Sequence, residues 1–276
     1  MLRGYRAALS PFFQLAGCDF EGAVELQLLF NAFCKLSPKG GVRPPLWDVN
    51  IVLVSLKSFP FKTMVVTQLK EVTMKTIFLV TLATAHRVSE LQALSHSVCF
   101  SRDGSALLAF KPEFLAQTEF PDRPVAREFR IESLASLTDD RYKRLLCPVR
   151  AVKYYLKLTK MVGRAKTLFV SPRDFTRPLT RSGVAYFLRE TIQNAYGDVP
   201  LHLQALTRVN AHEIRAVSTS LRFKYNMKQV EIIRRAYWRS RTIYCSRYIR
   251  DISSKYLDVS ALGPLSVAQG VVWPID

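Results

Sequence analysis

Val98-Cys99-Phe100-Ser101-Arg102-Asp103-Gly104-Ser105-Ala106-Leu107-Leu108-Ala109-Phe110 is the stretch where the apolar period of this chain changes from about 3.6 to about 2. Apolar and polar residues alternate on either side of Arg102-Asp103-Gly104, a turn composition, so the segment reads as two strands of a hairpin. Arg127–Leu134 is a candidate third strand, and Thr167–Ser171 a short further one. On both sides the periodicity is helical. Ile51–Leu56, Val66–Ala85 and Arg87–Leu94 come before the strands. After them Cys147-Pro148 opens a helix whose Val149, Val152, Tyr155 and Leu156 face inward, with Pro at a first-turn position where its missing N–H costs nothing. Thr180–Tyr196 follows with Thr180 or Ser182 as cap, and Asn210 is placed to cap a helix carrying His212 and Arg215. Met227–Ala236, Thr242–Tyr256 and Ala261–Val272, ahead of Pro274, complete the helical set. The expected fold is mainly α with a small antiparallel β-sheet, an α+β class.

The first forty residues hold two helical patterns, Gly4–Leu15 and Val24–Leu36, around Gly17-Cys18-Asp19-Phe20-Glu21-Gly22. Gly40-Gly41-Val42-Arg43-Pro44-Pro45-Leu46-Trp47 breaks the period, which sets the expected domains as residues 1–40, a linker over 41–50, and a larger domain over 51–276. With 276 residues, 49% of them hydrophobic, the chain can bury a substantial core. Forty Lys and Arg against 22 Asp and Glu leave a formal charge of +18, and a field of that sign concentrates polyanions. Residues 201–256 hold 12 of the cations against 3 acids. Nucleic acid is the partner this composition favours, and a solvated basic helical surface is the ordinary alternative.

Five cysteines (Cys18, Cys34, Cys99, Cys147 and Cys245) form no C-x-x-C pair, which points to a reducing compartment and to neither a disulfide framework nor a zinc site. The longest apolar run, Thr76–Ala85, is too short for a bilayer span, and Met1–Arg6 lacks a signal-peptide core. The expected compartment is intracellular, and nuclear.

Three segments carry the chemistry: Ala85-His86-Arg87-Val88-Ser89-Glu90-Leu91, Ala211-His212-Glu213-Ile214-Arg215, and Trp238-Arg239-Ser240-Arg241-Thr242 followed by Tyr248-Ile249-Arg250-Asp251. Singly each has an ordinary explanation. An H-x-x-R on a helix is commonly a surface pair, Arg87 is spaced to pair with Glu90, and a Trp is most often core. As a set they resemble the dispersed active site of the tyrosine recombinases, the phage-integrase class. The run Lys75–Leu91 is similar to the first-arginine box. The Trp238–Asp251 segment is similar to the version in DIRS-type retrotransposons, a transposable-element lineage, and related eukaryotic integrase-like genes.

That resemblance implies a site-specific DNA recombinase that cleaves and rejoins DNA through a 3′-phosphotyrosyl intermediate, with no metal or other cofactor. It implies a catalytic domain preceded by a truncated helical core-binding (SAM-like) domain, since two candidate helices stand where the family has four. Arg87 and Arg215 take the roles of two guanidinium clamps on the non-bridging oxygens. His212 donates to the phosphate or helps take the tyrosine proton, and Trp238 donates through its indole N–H. Tyr244 and Tyr248 lie four apart on one helical face. The family string selects Tyr248 as nucleophile, with Tyr244 the alternative. Tetrameric synapsis on DNA, with the C-terminal tail packed on a neighbouring subunit, is also implied.

One position departs from the pattern. The hairpin lysine that protonates the leaving 5′-oxygen is expected within Pro112–Thr118, and the residue that aligns best is Gln117. Lys111 is the substitute general acid, but six residues along a strand displace a side chain by roughly 20 Å. Loss of a general acid costs about 10²–10⁴ in rate. The expectation is an impaired recombinase, and the alternative is a non-enzymatic DNA-binding relic or domesticated integrase-like protein.

Overall fold

The computed structural model describes residues 11–17, 23–25, 28–29, 32, 47–62, 67–115, 128–134, 144–197, 211–224 and 268–270, with backbone alone for His212, Phe223, Lys224 and 268–270. The chain divides into two compact units, Met1–Gly41 and Val42–Asp276. In the first, residues 11–15 are helical and end in a turn at Gly17, whose φ of 77° favours a residue without Cβ. Residues 24–25, 28–29 and 32 are helical as well. The remainder of the two helices expected there lies outside the described residues.

The second unit is built around one buried helix. Helix α1 (Val49–Ser55) is capped by Asp48, whose carboxylate accepts from the Asn50 N–H at 2.8 Å. Helix α2 (Leu69–Thr84) is buried at every position from Val72 to Thr84. A helix apolar on all sides belongs in the centre of a domain. Its threonines are compatible with that burial because Thr73, Thr76, Thr81 and Thr84 each donate to the carbonyl four residues back at 2.6–2.7 Å. Lys75 is buried too, and donates to the Leu56 carbonyl at 2.7 Å and the Phe61 carbonyl at 3.1 Å, closing the end of α1. Burial, with a smaller contribution from the Arg150 charge, pushes the Lys75 ammonium down to about 8.

Helix α3 (Val88–Gln92) follows α2 closely. Three longer helices surround α2: α4 (Pro148–Leu158), α5 (Arg181–Ala195) and α6 (Ala211–Lys224). The capping residues agree with the sequence. Pro148 is the first residue of α4, and Thr180 caps α5 by accepting from the Gly183 N–H at 3.0 Å. In α4, Val149, Val152 and Tyr155 are buried, and the Tyr155 hydroxyl accepts from the Val170 N–H at 2.9 Å.

The sheet is antiparallel in the order β1 (Cys99–Phe100), β2 (Ala106–Ala109), β3 (Glu128–Ile131), β6 (Ala268–Gly270). Its hairpin turns at Gly104, with φ of 85°, and Asp103 accepts from the Ser105 N–H at 2.9 Å. Alternate residues Ala106, Leu108, Phe129 and Ile131 are buried, as the period of two requires. The fold is therefore mainly helical with a small antiparallel sheet, as expected.

Two elements differ from the sequence expectation. A second two-stranded sheet pairs β4 (Val170–Ser171) with β5 (Asp174–Pro178), and β5 has no alternating apolar pattern to reveal it because all its residues are half-buried or exposed. The expected final helix over Ala261–Val272 is corrected at residues 268–270, which form β6 beside β3 with Ile131 opposite Ala268. Gly270 is a poor helix former, and the open edge of β3 offers backbone partners that a helix would leave unused.

Candidate phosphate-binding site

The site forms where α2 ends. Ala85 caps α2 in the left-handed region, φ 57° and ψ 25°, with its N–H on the Thr81 carbonyl at 2.8 Å. This reversal turns the chain straight into α3, with Arg87 at the N-cap. Glu90, three residues on, accepts from the Arg87 N–H at 2.8 Å through Oε2, and from the Arg87 guanidinium at 2.6 Å through Oε1. Its Oε2 also lies 3.2 Å from His86 Nδ1 and 3.5 Å from Arg215 Nη1. One buried carboxylate thus joins residues that the chain separates by 128 positions.

Arg215 arrives on α6, which is pinned to α2 by the Ser218 hydroxyl on the Leu82 carbonyl at 2.7 Å. Arg222, two turns further along α6, donates to the Ala83 carbonyl. The side chains of Glu90, Arg215 and His86 are each 1% exposed and that of Arg87 is 14% exposed, so Arg87 forms the accessible lip of the cluster. Burial opposes ionisation of Glu90, but the hydrogen bond and charge of His86 and the charges of Arg215 and Arg87 hold its carboxyl down at about 2. Burial also holds His86 below the usual imidazole range, opposed by Glu90 and aided by Arg215 and Arg222. The His86 ring packs edge-on to Phe129, with centroids 4.4 Å apart, and lies 5.3 Å from the Phe110 ring.

With Glu90 ionised, the Arg87–Glu90–Arg215 set carries one net positive charge beside a partly open edge. Both guanidiniums face this one carboxylate, Arg215 buried behind it and Arg87 at the lip, and a guanidinium is the side chain suited to donating two parallel N–H bonds to an oxyanion.

Of the residues singled out from sequence, Arg87 and Arg215 are brought together. His212 lies on α6 three residues before Arg215, with its side chain outside the described residues. Trp238, Tyr244, Tyr248 and Gln117 also lie outside the described residues. Lys111 directly follows Phe110, and its ammonium is 3.4 Å from Glu113, with no ion pair to the cluster. Glu90 was legible as a partner of Arg87. The recruitment of His86 and Arg222 was not, although Arg222 stands seven residues from Arg215, a spacing that returns to the same helical face. Among the described residues no group of His, Cys, Asp and Glu is arranged to hold a metal, and no helix is long and apolar enough to cross a membrane.

No protein-family model matches the chain, and no curated protein matches its sequence. Among solved structures, the chain is similar to XerA recombinase at 17% identity and a TM-score of 0.49, over 95% of this chain and 78% of that one. It is also similar to a lambda integrase(75-356) dimer bound to a COC′ core site, at 15% identity and a TM-score of 0.43, over 92% and 81%. A lambda integrase tetramer bound to a Holliday junction gives 16% identity and a TM-score of 0.40, over 92% and 66%. At such identities a likeness concerns the path of the chain and assigns no chemistry to its residues.

Proposed function

We propose that the chain is a tyrosine recombinase acting on duplex DNA, with the Arg87–Glu90–Arg215 cluster as the seat of the scissile phosphate. The observation that supports this reading is the shared Glu90 carboxylate, which the guanidiniums of two distant motifs approach to 2.6 Å and 3.5 Å. In the proposed reaction the Tyr248 oxygen attacks phosphorus, the bond to the 5′-oxygen breaks, and a 3′-phosphotyrosyl link forms while the 5′-hydroxyl leaves with a proton. Arg87 and Arg215 neutralise the charge that builds on the non-bridging oxygens. His212 and Trp238 add donors, and Glu90 keeps both guanidiniums in register. Assembly into a tetramer on DNA, descent from a DIRS-type element and action in the nucleus belong to the same reading.

A second reading, a DNA-binding protein without catalysis, is favoured by two particulars. Gln117 cannot donate a proton as lysine does, and Lys111 is engaged with Glu113. Incubation with a nicked suicide duplex, followed by denaturing electrophoresis, separates the two. A covalent protein–DNA adduct that disappears in Tyr248→Phe supports the recombinase, while salt-dependent binding with no adduct supports the binding protein.

A further inference from the structure

We propose that the outer face of α4 is a docking surface for the phosphate backbone of duplex DNA, separate from the Arg87–Glu90–Arg215 cluster. Residues 144–173 hold eight Lys and Arg and no Asp or Glu. Arg150, Lys153 and Lys157 are exposed along α4, and exposed Lys160 stands just beyond its end. At about 100° per residue Arg150, Lys153 and Lys157 fall within roughly 60° of one another, and at 1.5 Å per residue they span about 10 Å, with Lys160 just past the helix end. The opposite side, Val149, Val152 and Tyr155, is buried, and the Ala151 carbonyl accepts from the Thr76 hydroxyl of α2 at 3.4 Å. The cationic ridge is therefore turned away from α2, the helix whose C-terminal end carries the cluster.

Among the described residues the ridge is uncompensated. Lys70, Lys111, Arg130 and Arg177 each hold a carboxylate, whereas none of the four ridge cations forms an ion pair among the described residues. Arg150/Lys153, Lys153/Lys157 and Lys157/Lys160 are like-charge neighbours at helical spacing, an arrangement that destabilises a helix by itself. The Arg150 charge even reaches the buried Lys75. Lys153 lies 5.9 Å over the Phe100 ring, which steadies the ammonium without neutralising it. Such a row gains stability when a polyanion covers it, and duplex DNA offers a charge every ~1.7 Å of axis. An acidic protein fits less well, because protein interfaces rest on apolar anchors. Leu158, the exposed apolar residue of α4, sits about 80° round from Arg150.

This surface does not depend on the recombinase reading. The test is a titration of the full chain with a short duplex of arbitrary sequence at low salt, comparing the native protein with the fourfold variant Arg150→Gln, Lys153→Gln, Lys157→Gln, Lys160→Gln. All four positions are exposed, so circular dichroism should be unchanged. The variant should take one fewer duplex per chain, and the ridge-bound duplex should show a slope of log affinity against log salt of about −3 to −4, from four phosphate contacts. Replacing the three lysines by arginine should keep that duplex. A drop from two to one leaves the cluster as a second DNA site, and a drop from one to none supports the ridge while sinking the cluster as a DNA site. Equal stoichiometry in native and variant overturns the proposal, as does displacement of the duplex by polyglutamate as effective as by unlabelled DNA.

Discussion

Replacing Glu90 by Gln tests the keystone of the site with little change of shape. At neutral pH the variant removes the one charge shared by Arg87 and Arg215 from beside the Arg215 guanidinium, which is 1% exposed. Breaking a buried pair from one side costs about 3–5 kcal/mol. Proton linkage gives an independent figure: a carboxyl held at about 2 in the fold, against 4.5 as its ordinary value, contributes roughly 3 kcal/mol at neutral pH. For a unit of this size that corresponds to a fall in Tm of about 6–12 °C. The sign follows from the depressed pKa. Glu90 stabilises the fold above its unfolded pKa, and that contribution fades as pH falls from about 4.5 towards 2. Thermal unfolding of native and Glu90→Gln chains across that range should show a wide gap at neutral pH that closes in acid. A gap under 2 °C at pH 7, or one that stays constant with pH, refutes the role assigned to Glu90.

Three further outcomes are expected. Ala85→Gly should change stability by less than about 1 kcal/mol, because relief of an L side chain at φ 57° is offset by the loss of a fully buried methyl and the added chain entropy of glycine; a larger shift in Tm contradicts this. Lys75→Met should reveal a pH dependence of the same sign as that of Glu90, in a different window. The native ammonium, lowered to about 8, makes the native chain gain roughly 3 kcal/mol relative to the variant between pH 8 and 10.5, readable by urea unfolding at several pH values. Arg215→Lys should weaken inorganic phosphate binding at the cluster about tenfold or more, since an ammonium cannot donate the two parallel bonds of a guanidinium; calorimetry that finds equal affinity removes the bidentate clamp from the mechanism.

The helices α1–α6 and the β1–β2–β3 meander were legible because their signals are local, while the expected helices Met227–Ala236 and Thr242–Tyr256 lie outside the described residues. Pro148 and Thr180 mark helix starts, and Gly104 with Asp103 marks the hairpin turn. The pairing of β6 with β3 was not, because it is decided by an unfilled sheet edge far away in sequence and Ala268-Gln269-Gly270 has no period of its own. At the site, the spacing of Arg87 and Glu90 made that pair readable. The joining of Arg215 to it depends on how α6 lies across the end of α2, fixed by Ser218 on Leu82 and Arg222 on Ala83, contacts that no window of sequence displays. His86 escaped notice for the same reason: its partners Phe110, just past β2, and Phe129, in β3, are far from it in sequence.

The central claim is that Tyr248 attacks a phosphate held by Arg87 and Arg215. The most direct measurement is the rate of covalent adduct formation on a duplex whose 5′-leaving oxygen is replaced by sulfur, compared with an ordinary duplex. A thiolate leaves without a proton, so this substrate bypasses the lysine that the proposed reading expects at Gln117 and isolates nucleophile and arginines. Adduct should form on the sulfur duplex faster by about 10²–10⁴, the size of a general-acid contribution. It should vanish in Tyr248→Phe, and Gln117→Lys should speed the ordinary duplex alone. Absence of adduct on the sulfur duplex, while native protein still binds DNA, contradicts the claim.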